Sequence, residues 1–146
     1  MVLRAGSGTP YTSQSNVTPE ALFGVASRRN LEGSVNGARL PWQVRMDIRI
    51  DKNIDLSWGA ADNKKAANLN IYLQVLNVLN TKNIMNVYRF TGNANDDGYL
   101  YAAETQSSIQ NQNSEQSFRD LYTVKINNPS NYSIPRRIRI GVMLDF

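Results

Sequence analysis

The spacing most suggestive of chemistry lies at Asn93-Ala94-Asn95-Asp96-Asp97-Gly98, with Glu104 beyond it. Oxygen ligands at Asn93, Asn95, Asp97 and Glu104, a glycine at Gly98 and an apolar Leu100 follow the order of an EF-hand loop. Calcium wants hard oxygens closed by a bidentate carboxylate, so the residue types suit it. Against this, Asn93 stands where an aspartate is usual, which removes charge, and no amphipathic helix pair flanks the segment. The plainer reading is an Asp-Gly turn in a polar loop, and no metal is assigned.

Other routes to catalysis are narrow. The chain has no histidine and no cysteine, which removes Ser-His triads, thiol nucleophiles, disulfides and Cys/His zinc sites. Gly6-Ser7-Gly8 is not followed by the Gly-Lys-Ser/Thr of a phosphate loop. Asp96-Asp97 and Asp47/Asp51 are the available acid pairs, but Asp47 and Asp51 share a strand face with Arg45 and Arg49, where mutual salt bridging is the simpler role. The chain reads as a non-enzyme without a cofactor. Its net charge of +4 comes from 16 basic and 12 acidic residues. The pairs Arg28-Arg29, Lys64-Lys65 and Arg136-Arg137 are far apart and lack interleaved aromatics, so no nucleic-acid partner is expected.

The elements that must position these residues are strands. From Trp42 the residues Trp42, Val44, Met46, Ile48 and Ile50 alternate with Gln43, Arg45, Asp47, Arg49 and Asp51, the period of a two-faced strand. Alternation resumes at Ile54, Leu56 and Trp58, and Lys52 is the one break on the apolar face. Ile138, Ile140, Val142, Leu144 and Phe146 likewise alternate with Arg137, Arg139, Gly141, Met143 and Asp145. A third strand runs from Leu69 to Val75 and exits through Asn77-Val78-Leu79-Asn80, and a short one covers Val2 to Ala5. The first run far exceeds the ~5–6 residues of a usual globular strand. A tilted strand of ~9–11 residues crosses a bilayer.

The connections alternate in length. About residues 13–39 and 81–133 are long and polar, while Gly59 to Lys65 is short and turn-like. Thr18-Pro19-Glu20 predicts a helix start of one or two turns, ending before Gly24 or the Arg28 to Asn30 stretch. Long external loops and short periplasmic turns are the habit of outer-membrane barrels. The apolar content of 41% does not exclude such a barrel, because alternation averages out. Trp42, Trp58, Tyr72 and Tyr132 are candidates for an interfacial aromatic girdle, with simple strand packing as the alternative.

At this point the residues resemble TonB-dependent receptors of the Bacteroidota type. Gly6-Ser7-Gly8-Thr9-Pro10-Tyr11-Thr12 resembles the end of a late upward strand of that family. Asn36-Gly37-Ala38-Arg39-Leu40-Pro41-Trp42, leading into Arg45 to Lys52, is similar to the next downward strand. Val75 to Asn83 is similar to the penultimate strand, with Leu79 in place of the commoner Phe. Val87-Tyr88, Thr91-Gly92, Asp96 to Leu100 and Asn128 to Gly141 are similar to the Bacteroidota branch.

The resemblance covers nearly the whole chain and implies an all-β fold: about the last four antiparallel strands of a 22-stranded transmembrane barrel, an open curved sheet when alone. It implies one segment over 1–146 in the bacterial outer membrane, C-terminus periplasmic, without the family's plug or TonB-contacting part. The family moves a ligand inward with energy passed on by TonB. Trp42, Val44, Met46, Ile48, Ile50, Ile138, Ile140, Val142 and Leu144 are then expected to face lipid. Arg45, Asp47, Arg49, Arg137, Arg139 and Asp145 are expected to face the lumen. Phe146 resembles the terminal aromatic by which the barrel-assembly machinery recognises its substrates. Partners implied are outer-membrane lipid, the remaining strands and plug, and TonB through the missing N-terminal part. Met1 is not followed by a signal peptide, so the chain is expected to begin inside a longer protein. The alternative is a small outer-membrane barrel, or a strand-rich module that completes another chain's barrel.

Overall fold

A computed structural model describes residues 1–24, 30–58 and 65–146, leaving aside the side chains of residues 57, 58, 65 and 66. The Arg28-Arg29 pair, the short turn after Trp58, the Lys64-Lys65 pair and the Trp58 girdle position lie outside the described residues.

The strands are β1 (Val2–Gly6), β2 (Pro10–Tyr11), β3 (Ser13–Gln14), β4 (Leu31–Glu32), β5 (Ala38–Arg39), β6 (Gln43–Trp58), β7 (Lys65–Leu76) and β8 (Arg137–Asp145). The helices are α1 (Glu20–Phe23), α2 (Gln106–Gln110) and α3 (Glu115–Ile126). The chain divides into two compact units, one of Met1–Ala5, Val44–Thr81 and Ile134–Phe146, the other of Gly6–Gln43 and Lys82–Ser133.

The first unit is a four-stranded sheet in the order β1-β6-β7-β8, with β6, β7 and β8 antiparallel. Among the described residues it is open, with β1 and β8 as its edges. β6 has 16 residues and β7 has 12. Both are rich in Ile, Val and Leu at alternate positions, which suits a pleated surface. Their pairing runs without a slip from Ile48↔Val75 to Trp58↔Lys65, and β7 with β8 from Leu76↔Arg137 to Asn68↔Asp145. A one-residue slip would carry every aliphatic side chain to the polar face, so the alternation itself holds the register.

The second unit has its own core. Tyr88, Leu100, Ile109, Tyr122 and Ile126 are buried together, with Ala21, Tyr99 and Phe118 packed against them. The rings of Tyr99 and Tyr122 stack at 5.2 Å, and the Tyr88 hydroxyl donates to the Ile126 carbonyl at 2.9 Å. Two short antiparallel ribbons, β2 with β5 and β3 with β4, complete it.

The expected helix start appears as α1, which begins at Glu20 after Pro19 and stops at Gly24, whose φ of 71° only glycine adopts at little cost. The segment 81–133 differs from the expected loop. It carries α2 and the 12-residue α3, so strands dominate but do not exhaust the fold. The reason is local. The Ser114 side chain accepts the Ser117 amide, capping α3, and Phe118, Tyr122 and Ile126 recur every four residues on its buried stripe.

Candidate functional site

The surface that stands out is the sheet of the first unit, because register turns the sequence alternation into two faces. Antiparallel partners directly opposite one another point to the same side. Ile48, Val75 and Ile138 form one row, Ile50, Leu73 and Ile140 the next, and Ile54, Leu69 and Leu144 another. Between the last two, Lys52 stands beside Ile71 and Val142. Val44 and Met46 continue the same side of β6 by alternation. These side chains are not packed away. Ile50 is 61% exposed, Ile140 75% and Val142 62%. A contiguous aliphatic surface of this kind is unfavourable in water, at roughly 25 cal/mol per Å².

The opposite face is polar and internally paired. Arg45 Nε lies 2.8 Å from Asp47 Oδ1 and Arg49 Nη2 lies 2.7 Å from Asp51 Oδ1. The Arg49 guanidinium also sits 4.5 Å from the centroid of the Tyr72 ring, a cation–π contact. Arg49 shares its row with Gln74 and Arg139, and Asp51 shares its row with Tyr72 and Gly141. Farther along, Asn53, Asn70 and Met143 align, then Asp55, Asn68 and Asp145. Asn70 Nδ2 donates to Asn53 Oδ1 across the strands. Ile48 and Val142 therefore lie on one side of the sheet, and Arg49 and Met143 on the other.

Two of the expected girdle aromatics have other roles. Tyr72 belongs to the polar face, over Gly141 and against Arg49, so it does not border the aliphatic face. The Tyr132 hydroxyl donates to Asn95 Oδ1 at 2.7 Å within the second unit. Trp42 precedes the first unit's part of β6 and is 72% exposed, and Phe146 follows β8 and is 98% exposed.

At one end of the sheet the chain leaves β7 through a polar clasp that sequence reasoning did not single out. Asn77 is buried at φ 54°, and Asn80 adopts φ 51°. The Asn77 amide donates to Asp47 Oδ1 at 2.8 Å. Its Nδ2 donates to the carbonyls of Thr81 and Ile134, both at 3.1 Å, and its Oδ1 accepts from the Thr81 amide at 3.1 Å. Asn80 Oδ1 accepts from the Arg136 amide at 3.1 Å. Asparagine suits both places because it tolerates the left-handed region and its amide can replace ladder hydrogen bonds. The recurrence Asn77-Val78-Leu79-Asn80 was the available signal.

The four calcium candidates serve other partners. Asp97, 1% exposed, accepts the Tyr122 hydroxyl at 2.5 Å and the Ala21 amide at 3.1 Å through Oδ2, and the Tyr99 amide at 3.1 Å through Oδ1. Glu104 Oε1 accepts the Val17 amide at 3.3 Å, Asn93 Oδ1 the Asn95 amide at 2.9 Å, and Asn95 Oδ1 the Tyr132 hydroxyl. Among the described residues no three acidic side chains converge to hold a metal ion. The Asp-Gly turn is what this segment forms, with Gly98 at φ 79° and its amide on Asp96 Oδ1 at 2.8 Å. Burial and the Asp97 hydrogen bond together push the Tyr122 phenol far above its ordinary range. The second unit also carries two polar clefts, of about 200 and 320 Å³, which share Asn86, Val87 and Arg89 as a wall. In the second cleft, the Glu20 carboxylate faces the Arg89 guanidinium at 3.9 Å.

No family model matches this chain, and no curated protein or solved structure matches it either. No helix among the described residues is long and apolar enough to cross a membrane, which leaves crossing by strands open.

Proposed function

We propose that this chain is the C-terminal barrel segment of a TonB-dependent outer-membrane receptor, contributing adjacent strands to the wall and one folded body of loops. The observation that carries this reading is the row structure of the sheet. Exposed aliphatic rows lie on one side and paired charges on the other, over strands of 16, 12 and 9 residues. Each is long enough, or close to long enough, for a tilted crossing of ~9–11 residues. Lipid removes the cost of the aliphatic face, while a hydrated lumen accommodates Arg45, Asp47, Arg49, Arg137, Arg139 and Asp145.

The two open edges support the same reading. Hydrocarbon offers nothing to unpaired backbone N–H and C=O groups, so β1 and β8 require further strands beside them. A soluble module would have to cover its apolar face and blunt its edges. The resemblance supplies the rest of the proposal: a receptor that takes a ligand inward using energy from TonB. The plug and TonB-contacting segment of that family have no counterpart in residues 1–146.

Residues 1–146 contain no cysteine, so a cysteine placed here is the single thiol of this segment, and the parent reading frame serves as the labelling control. Single substitutions Arg139→Cys, Ile140→Cys and Val142→Cys are placed in the reading frame that carries this sequence and expressed in a Gram-negative cell. A water-soluble maleimide on isolated outer membranes is expected to label position 139 and spare 140 and 142. Equal labelling at all three, or recovery of the protein outside the outer membrane, would reject the proposal.

A further inference from the structure

We propose that the two long connections of the second unit are locked into one mechanically coupled body by carboxylates that each cap a backbone amide of the other connection. Five hydrogen bonds among the described residues join Gly6–Gln43 to Lys82–Ser133. The Ala21 amide donates to Asp97 Oδ2 at 3.1 Å, the Val17 amide to Glu104 Oε1 at 3.3 Å and the Arg89 amide to Glu20 Oε2 at 3.1 Å. The other two end on backbone carbonyls: the Gln14 amide donates to the Arg89 carbonyl and Gln43 Nε2 to the Ile84 carbonyl, both at 3.2 Å. Three of these five thus end on an acidic side chain, and hydrogen bonds to a charged acceptor are stronger than neutral ones.

Asp97 is the pin of this lock. It is 1% exposed, and its Oδ2 is shared between Ala21 of the first connection and the hydroxyl of Tyr122 on α3 of the second. Tyr122 is itself buried in the core formed by the second connection, against which Ala21 packs. Moving α1 away would leave a buried carboxylate short of a donor, which is costly. The two connections therefore shift together, and a ligand or partner seated on either is felt by the other through a shared packed element. This lock does not depend on whether the sheet meets lipid.

Spin labels test it on the full chain. One pair, Val35→Cys with Val124→Cys, spans the two connections; a second, Tyr101→Cys with Val124→Cys, lies within the second. All three positions are more than two-thirds exposed, at 70%, 71% and 79%. Double electron–electron resonance should give narrow distributions for both pairs in the parent. In Asp97→Asn the spanning distribution should at least double in width while the internal one is unchanged. Glu104→Ala, which removes the acceptor of the Val17 amide on the other connection, should act in the same direction and stands in if Asp97→Asn does not fold. An unchanged spanning distribution in both variants overturns the lock. Equal broadening of both pairs also overturns it, because Asp97 would then only support its own connection.

Discussion

The ring of Tyr72 on β7 lies across Gly141, its register partner on β8, so closely that a Cβ at Gly141 would clash with the Cζ, Cε1 and hydroxyl oxygen of the tyrosine. Glycine inside a strand is otherwise a weakness, and here an aromatic neighbour covers the gap it leaves. The same ring carries the Arg49 guanidinium, so three strands meet at one point of the polar face.

This contact makes Gly141→Ala the most informative small change on the sheet. Overpacking should destabilise by about 1–3 kcal/mol. Combining it with Tyr72→Ala should cost less than the sum of the two single changes, since the clash is gone. Denaturant unfolding of the refolded protein measures this, and additive losses would show that the ring is free to move aside.

Ile48 and Arg49 are consecutive on β6 but point to opposite faces. On the proposed reading, Ile48→Lys near the midplane should cost about 2–4 kcal/mol, and Arg49→Lys much less. The folded, heat-resistant fraction of the protein reports the difference. Equal losses from the two would contradict the facing.

Asn77→Ala should loosen the exit of β7. The substitution strains a backbone at φ 54° and strips partners from the Thr81 amide and the Thr81 and Ile134 carbonyls. A loss of about 2–4 kcal/mol follows from one buried hydrogen-bond cluster and a left-handed residue. Asn77→Gly relieves the backbone but not the lost bonds, so it should recover only part. Full recovery by glycine would assign the whole effect to conformation.

The buried Tyr122 phenol gives the second unit a pH dependence at the alkaline end. Its folded pKa is raised above the ordinary phenol value of 10.0, first by burial and then by the Asp97 hydrogen bond. The unfolded chain therefore releases this proton first as pH rises. The stabilisation is complete below pH 10 and falls progressively above it. Tyr122→Phe should flatten that fall, with a residue left by Tyr88, whose phenol is also raised by burial. Unfolding midpoints compared between pH 8 and 11 test this; identical slopes for parent and variant would remove Tyr122 from the account.

The alternation along Val44 to Leu56 and Ile138 to Leu144 by itself determined that these segments are two-faced strands, because a period of two is a local property of side-chain direction. It also determined which residues share a face, since no bulge interrupts β6 or β8 in their pairing with β7. Composition settled the missing chemistries, as no fold can supply an absent imidazole or thiol. Only the tertiary structure decided which strands stand beside each other, and so that Arg49, Tyr72 and Gly141 meet. That depends on register between segments distant in sequence. It alone decided that 81–133 folds around Tyr88, Leu100 and Tyr122, because the Gln-, Asn- and Ser-rich surface of that segment masks a buried stripe of one residue in four. Asp97 shows the same limit most plainly. Its sequence neighbours suggest a calcium ligand, while its real partners, Ala21 and Tyr122, lie far from it along the chain and are brought to it only by packing.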